Sequence, residues 1–284
     1  MDTSYIFNKP ITEVIKSRVS VRTYEATTLD NNIKKKLASY VEGLKGPFEG
    51  KVRFKLIDSS AALNNNAKLG TYGIIKGASS FVAGAIERGG MNLEELGYEL
   101  ESFVLYAASL GLGTCWLGGT FKKGEFAKAL ELKENEILPI VTPVGYPSKS
   151  EGFVGSMMRR LAGSNNRKPW EEIFFDKGFD KKLSKSDAGI YEEALEMLRL
   201  APSASNKQPW RIVKENNKIH FYLQHTKGYS DSLGFDMQRI DIGIAMCHLE
   251  FSLKETGVQG RWETSEPDVK PLNDSTEYIV TWVG

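Results

Sequence analysis

The chain has 284 residues, with 37 Lys and Arg against 36 Asp and Glu, a formal net charge of +1. That balance argues against binding nucleic acid or an anionic membrane surface through bulk charge, and the length suffices for one large or two smaller cores. Cys115 and Cys247 lie far apart in apolar helical contexts, which predicts buried thiols rather than a disulfide and a reducing, cytoplasmic setting.

The first residues carry no basic stretch leading into an apolar run, and no segment approaches membrane-spanning length, so neither an export signal nor an anchor is expected. Pro10 stands in a first turn ahead of apolar residues at helical spacing, predicting a short helix over residues 10–15. A second helix is predicted over residues 30–44, capped by Asp30 and stopped by Gly46-Pro47. Residues 52–57 alternate apolar and polar, and residues 80–86 are almost continuously apolar; both read as strands, the second buried. A long apolar helix over 93–110, ended by Gly111, precedes a short helix over 125–132 and a strand over 137–144.

From Gly145 to about Lys185 no period holds. Phe153, Trp170, Phe174 and Phe175 favour a segment that wraps a surface over one that dangles. A helix over 187–200, strands over 210–214 and 219–223, a helix over 240–255 and a last strand follow. Helices and strands mix without regular alternation, which predicts an α+β fold with mixed or antiparallel sheets flanked by helices.

The chain also repeats itself. IVTPVG at 140–145 returns as IVTWVG at 279–284, and Gly97, Gly111 and Trp116 return as Gly243, Gly257 and Trp262 at identical spacing. We read a first repeat over 1–150, a wrapping connector over 151–185 and a second repeat over 186–284, the remnant of a fused homodimer. The second repeat is expected to lack a counterpart of the arm over 146–170.

Three segments carry polar groups that a fold alone does not require. In Ser17 to Tyr24, Arg18, Ser20 and Arg22 fall at every second position and share a face if the backbone is extended. Guanidinium groups suit phosphate or the polar edge of a heterocycle, although a solvated strand with surface arginines reads equally well from this segment alone. In APSASNKQPW (201–210), two prolines bracket small hydroxyl and amide residues, giving a rigid turn able to lie against a flat ligand, or a plain helix-to-strand connector. GLGTCWLGG (111–119) fails the dinucleotide fingerprint, because it follows a helix and has Trp116 in the third glycine's place. Gly118 and Gly119 would still let backbone N–H groups approach a ligand. His220, His225 and His248 are scattered, and no nucleophile set or metal-ligand set competes, so neither a catalytic side chain nor a metal is expected. Tyr72, Phe121 and Trp210 are core residues first and pocket-wall candidates second.

SRVSVRTY, APSASNKQPW and GLGTCWLGG, followed by a strand ending Val144-Gly145-Tyr146-Pro147, together resemble the flavin-binding motifs of the nitroreductase family, most of all its fused single-chain members. The resemblance implies an FMN at the interface of the two repeats. Arg18 and Ser20 would face its phosphate and Arg22 its N1 and O2. Pro202, Ser203, Ala204, Ser205 and Asn206 would line the ring and ribityl chain, with Leu117, Gly118 and Gly119 near N5 and O4. Arg167 matches a late phosphate-binding arginine. Asn165 stands where a second basic residue is common, a place that Arg159 or Arg160 would fill, and Thr71 stands where an asparagine often reaches the pyrimidine edge.

The first repeat has LKGPFEG (44–50) in place of the proline-serine loop. The second has KKLSKS (181–186) in place of the arginine segment and GVQGRWE (257–263) in place of the glycine segment. One site per chain is therefore implied. The implied function is an FMN-dependent oxidoreductase that passes hydride from NADH or NADPH through flavin N5 to a small-molecule electron acceptor, a nitroaromatic or quinone. It would work as a monomeric pseudo-dimer or a homodimer, with no nucleic-acid or membrane partner. The alternative is an FMN-binding protein without reductase turnover, serving storage, sensing or modification of flavin.

Overall fold

In the computed structural model, which describes residues 7–58, 69–149 and 166–284, Pro10 opens helix α1 (Ile11–Ser17). The first N–H groups of α1, on Ile11 and Thr12, donate to the carboxylate of Glu255, which satisfies donors that a helix start leaves free. Met1–Lys16 accordingly belongs with Ser164–Gly284 in one compact unit, and Ser17–Gly163 forms another.

The unit Ser17–Gly163 contains α2 (Asn31–Glu42), β1 (Val52–Asp58), β2 (Ser80–Glu87), α3 (Asn92–Ser109), β3 (Gly113–Thr114), α4 (Lys123–Leu130) and β4 (Glu136–Gly145). Asp30 caps α2 as expected, accepting from the Ile33 N–H at 2.9 Å. The helix stops at Glu42, short of Gly46-Pro47, because Gly43 already closes the last turn onto the Ser39 and Tyr40 carbonyls. The sheet runs β1-β2-β4-β3, antiparallel throughout. Its continuous apolar strand, β2, is buried from Ser80 to Ile86. Phe126 of α4 packs edge-to-face on Phe81 and Phe121 at 5.2 and 5.5 Å, closing one side of the sheet.

The segment Lys76-Gly77 pairs with the extended chain at Arg22 to Tyr24. Gly77 has φ +80°, and a Cβ there would meet the Tyr24 carbonyl oxygen at 2.3 Å. Gly77→Ala is expected to cost at least ~2 kcal/mol, read by urea unfolding, since both the conformation and the contact forbid a side chain. An unchanged midpoint would show that this pairing is dispensable.

The other unit contains α5 (Trp170–Ile173), β5 (Phe174–Asp176), α6 (Lys185–Ala188), α7 (Glu192–Arg199), β6 (Trp210–Glu215), β7 (Lys218–Gln224), α8 (Met237–Glu255), β8 (Arg261–Glu263) and β9 (Thr276–Val283). Its sheet runs β5-β6-β7-β9-β8, with β5 parallel to β6 and the rest antiparallel. Within the aperiodic segment, Trp170, Phe174 and Phe175 are all buried, and their burial fixes α5 and β5. The single helix expected over 187–200 is instead broken into α6, a short 3-10 turn and α7. Gly189 sits at φ +59°, ψ −130°, outside any helical conformation, and ends α6 there.

The protein is α+β, and the two units share a plan that fits an internal duplication. In each, a long helix lies in sequence between the second and third long strands, and that third strand carries the repeated hexapeptide. α3 and α8 end alike: Gly111 and Gly257 have φ +78° and +79°, and the next residues, Leu112 and Val258, donate back to Ala107 and Leu253 at 3.0 and 2.9 Å. Each repeated tryptophan donates its indole N–H to a helix glutamate, Trp116 to Glu101 at 2.8 Å and Trp262 to Glu250 at 2.6 Å. Both cysteines are buried free thiols, as expected. Among the described residues no helix is long and apolar enough to cross a membrane.

Candidate functional site

The arginine segment is extended, held on one side by Val21 N–H to Thr114 O at 2.8 Å and on the other by reciprocal bonds between Arg22, Tyr24 and Lys76. Alternation then places Arg18, Ser20 and Arg22 together, and they converge on Cys115. Burial pushes the Cys115 thiol up, opposed by the positive charges of Arg22 and Arg18 and by a hydrogen bond from Ser20. Tyr24, buried next to the same thiol, is raised well above the ordinary phenol range by desolvation, with Arg22 opposing.

Arg18 is not a solvated surface arginine. Its side chain is 7% exposed, and its Nε lies 3.9 Å from Oε1 of the fully buried Glu101. That carboxylate also receives the Trp116 indole, which ties the arginine segment to α3. Nε and Nη1 of Arg18 and Nε of Arg22 are buried without a hydrogen-bond partner. A buried donor left unmade costs ~1–3 kcal/mol, more when charged. Three such donors occur on Arg18 and Arg22, and guanidinium N–H groups are donors that could hold an anion such as a phosphate ester.

The glycine segment continues from β3. Cys115 N–H donates to Thr142 Oγ1 at 3.2 Å, and Leu117, buried, exchanges both backbone bonds with Val141 at 3.0 and 3.1 Å. Leu117 thereby fixes where the next residues emerge. Gly118 is half-buried and Gly119 exposed, and neither N–H enters a backbone hydrogen bond among the described residues. Thr71 is buried, and its hydroxyl accepts from Ile75 N–H at 3.3 Å within a turn leading to Lys76. The core reading holds for Phe121 and Trp210 but not for Tyr72, which is 67% exposed with φ +49° on that turn.

In the other unit, the proline-bracketed loop folds back on itself. Ser203 Oγ accepts from Gln208 N–H at 2.8 Å, Ser203 O accepts from Asn206 N–H at 3.0 Å, and Tyr229 donates its hydroxyl proton to Ser205 Oγ at 2.9 Å. Ser205, Asn206 and Gln208 all have positive φ, between 48° and 54°. Arg167, matched in sequence to a phosphate-binding arginine, donates to Asn206 Oδ1 at 2.5 Å and to Leu200 O at 3.0 Å, so it stands against the loop. Pro202 and Ser203 are half-buried, and Ala204 donates its N–H to Asp241. Asn165, Arg159 and Arg160 lie outside the described residues.

Arg18, Ser20, Arg22, Thr71 and Leu117–Gly119 thus belong to one unit, and Arg167 and Pro202–Asn206 to the other. Sequence reasoning missed the buried acids that order these segments, Glu101 and Asp241. An acid inside a helix reads as a solvated face. For Asp241 a signal existed: it stands two residues before Gly243, as Glu95 stands two before Gly97. His220 and His248 are buried and structural, with His220 Nδ1 bonding Thr281 and His248 Nδ1 bonding the Met197 carbonyl, while the part-exposed His225 pairs with Glu277 at 2.8 Å.

Residues 10–253 match the family model described as "Putative TM nitroreductase". A crystal structure of a "putative nitroreductase" from Thermotoga maritima covers 97% of this chain and 94% of its own, at 18% identity and a TM-score of 0.62. A nitroreductase with bound FMN from Bacteroides fragilis covers 50% of this chain and 91% of its own, at 19% identity and a TM-score of 0.40. An FMN-dependent nitroreductase from Clostridium difficile covers 48% and 87%, at 18% identity and a TM-score of 0.39. At these identities the first likeness shows a common fold. No curated protein matches.

Proposed function

The chain belongs to that nitroreductase family, and on this premise we propose that it is an FMN-dependent oxidoreductase holding one FMN per chain. NADH or NADPH would be the reductant, and a nitroaromatic, quinone or similar small molecule the acceptor. The observation that carries the reading is the pair Arg18 and Arg22, three of whose guanidinium nitrogens are buried without a hydrogen-bond partner. FMN, when bound, supplies the hydride chemistry, and the protein supplies position and charge.

The chain's own residues have separable tasks in this reading. Arg18 and Ser20 bind phosphate and Arg22 the polar edge of the ring, with Cys115 kept as a thiol by burial so that no anion competes for the arginines. Gly118 and Gly119 present backbone N–H groups to the ring. Pro202, Ser203, Ala204, Ser205 and Asn206 are the loop residues that line the ring and ribityl chain, and Arg167 keeps Asn206 in place. Thr71 sits on the turn that leads to Lys76, which pairs with the arginine segment, and its hydroxyl is engaged locally. Buried free thiols suit a reducing cytoplasm. A monomer would suffice, and a homodimer is compatible.

The test begins with colour. Purified protein is expected to be yellow and to release about one FMN per chain on denaturation, the stoichiometry of a single site. Anaerobic NADH or NADPH should bleach it, and a nitroaromatic or quinone should restore the colour. Bound FMN that neither nucleotide reduces would leave a flavin binder without turnover. Protein that ignores added FMN would end the proposal.

A further inference from the structure

Three non-glycine residues within four positions, Ser205, Asn206 and Gln208, hold positive φ. Such backbone persists only where surroundings over-determine it. Most bonds around it come from neighbouring loops: Tyr229 to Ser205, Arg167 to Asn206, and Lys168 N–H to Gln208 Oε1. Asp241 is different, because it stands on the long helix α8 and is 2% exposed. Its Oδ1 accepts the Ala204 N–H at 2.9 Å, at the first residue of the strained turn. Its Oδ2 is buried without a partner.

The same device operates in the other unit. Glu95 stands two residues before Gly97 on α3, as Asp241 stands two before Gly243 on α8. Glu95 is 1% exposed and accepts the N–H groups of Phe48 and Gly50 at 3.0 and 3.3 Å. Those residues lie in the segment that replaces the proline-serine loop. One helix position therefore clamps the corresponding loop in both units, whether or not that loop keeps its polar residues.

We propose that Asp241 is a positioning residue that fixes the Pro202–Asn206 loop in the conformation that receives FMN. The inference rests on the FMN reading for its ligand, while the clamp itself is a property of the loop. Burial drives the Asp241 carboxyl well above the ordinary range, with the Ala204 N–H opposing and Asp236 adding to the rise. An asparagine reproduces the oxygen that accepts the Ala204 N–H.

The test compares Asp241→Asn, Asp241→Ala and Asp241→Leu in the full chain. Amide hydrogen exchange over residues 203–208 is followed without FMN, and FMN affinity and the bound-flavin absorption spectrum are followed with it. Asp241→Asn should stay within about threefold of the parent in affinity and keep the loop protected, because the acceptor is retained. Asp241→Leu removes the acceptor without opening a cavity, so it serves if the alanine variant does not fold. The alanine or leucine variant should lose protection and weaken FMN by at least ~10-fold, the loss of one buried hydrogen bond. Parent-like exchange and affinity in either would overturn the proposal, as would an asparagine variant that folds but behaves like the leucine one. If the parent itself takes up no FMN, the functional reading fails, and exchange at the loop still decides whether Asp241 holds it.

Discussion

Replacing Arg18 and Arg22 together by alanine is expected to weaken FMN binding by ~10²–10⁴-fold, the loss of two charge-assisted hydrogen bonds at ~1.5–3 kcal/mol each. The effect should exceed that of any other pair in the protein, because Nε and Nη1 of Arg18 and Nε of Arg22 are already buried without a hydrogen-bond partner. Arg18 also faces the fully buried Glu101 at 3.9 Å, so its removal takes a cationic neighbour from a buried carboxylate that the Trp116 indole also meets. An unpaired buried charge destabilises by several kcal/mol. The substitutions are therefore best made together with Glu101→Gln, which keeps an acceptor for the Trp116 indole and carries no charge. Fluorescence titration with FMN, beside circular dichroism to confirm the fold, reads the result. A folded triple variant that binds FMN like its Glu101→Gln parent would place the phosphate elsewhere and remove the observation on which the functional reading stands.

How far the chain discloses its own structure depends on which force sets each element. Helices and long strands follow from periodicity, and α3, α8, β2 and β4 lie where their apolar patterns put them, within a few residues. Asp30 starts one helix and Gly111 stops another by local chemistry, so they too are legible. The short strands β3, β5 and β8 span two or three residues and have no period to read; they exist because β4, β6 and β9 offer an edge. The break at Gly189 was hidden because glycine inside a helical pattern is tolerated as often as it ends one. The arginine segment was half legible. Alternation placed Arg18, Ser20 and Arg22 on one side, yet whether that side faced water depended on Glu101, eighty residues away and indistinguishable in sequence from a surface glutamate. The loop over 201–210 announced its composition but not its backbone, since strain of this kind is imposed from outside the segment.

The second large effect concerns the clamp in the unit Ser17–Gly163, where Glu95 is joined by Glu99. Glu99 accepts the Gly46 N–H at 3.0 Å and is 6% exposed. Burial, and then the charge of Glu95, push its carboxyl from 4.5 up to about 8, while the Gly46 N–H pulls the other way. Glu95 is raised as well, chiefly by burial, with the Phe48 and Gly50 N–H groups opposing. The pair thus holds a proton at neutral pH, Glu99 donating to Glu95. In the unfolded chain both would ionise near 4.5, so the native state binds the extra proton. The stability this contributes is complete below about pH 4.5, declines as pH rises, and is gone above about pH 8. Glu99→Gln keeps a carbonyl for Gly46 and an N–H for Glu95 but has no proton to lose. Against the parent, the variant should gain on the order of 2–4 kcal/mol between pH 5.5 and pH 8.5. Urea unfolding at the two pH values measures the difference directly, and groups outside the pair cancel in it. Parallel pH profiles for the two proteins would mean that the glutamates titrate as ordinary carboxylates and that the loop over residues 46–50 is held without a shared proton.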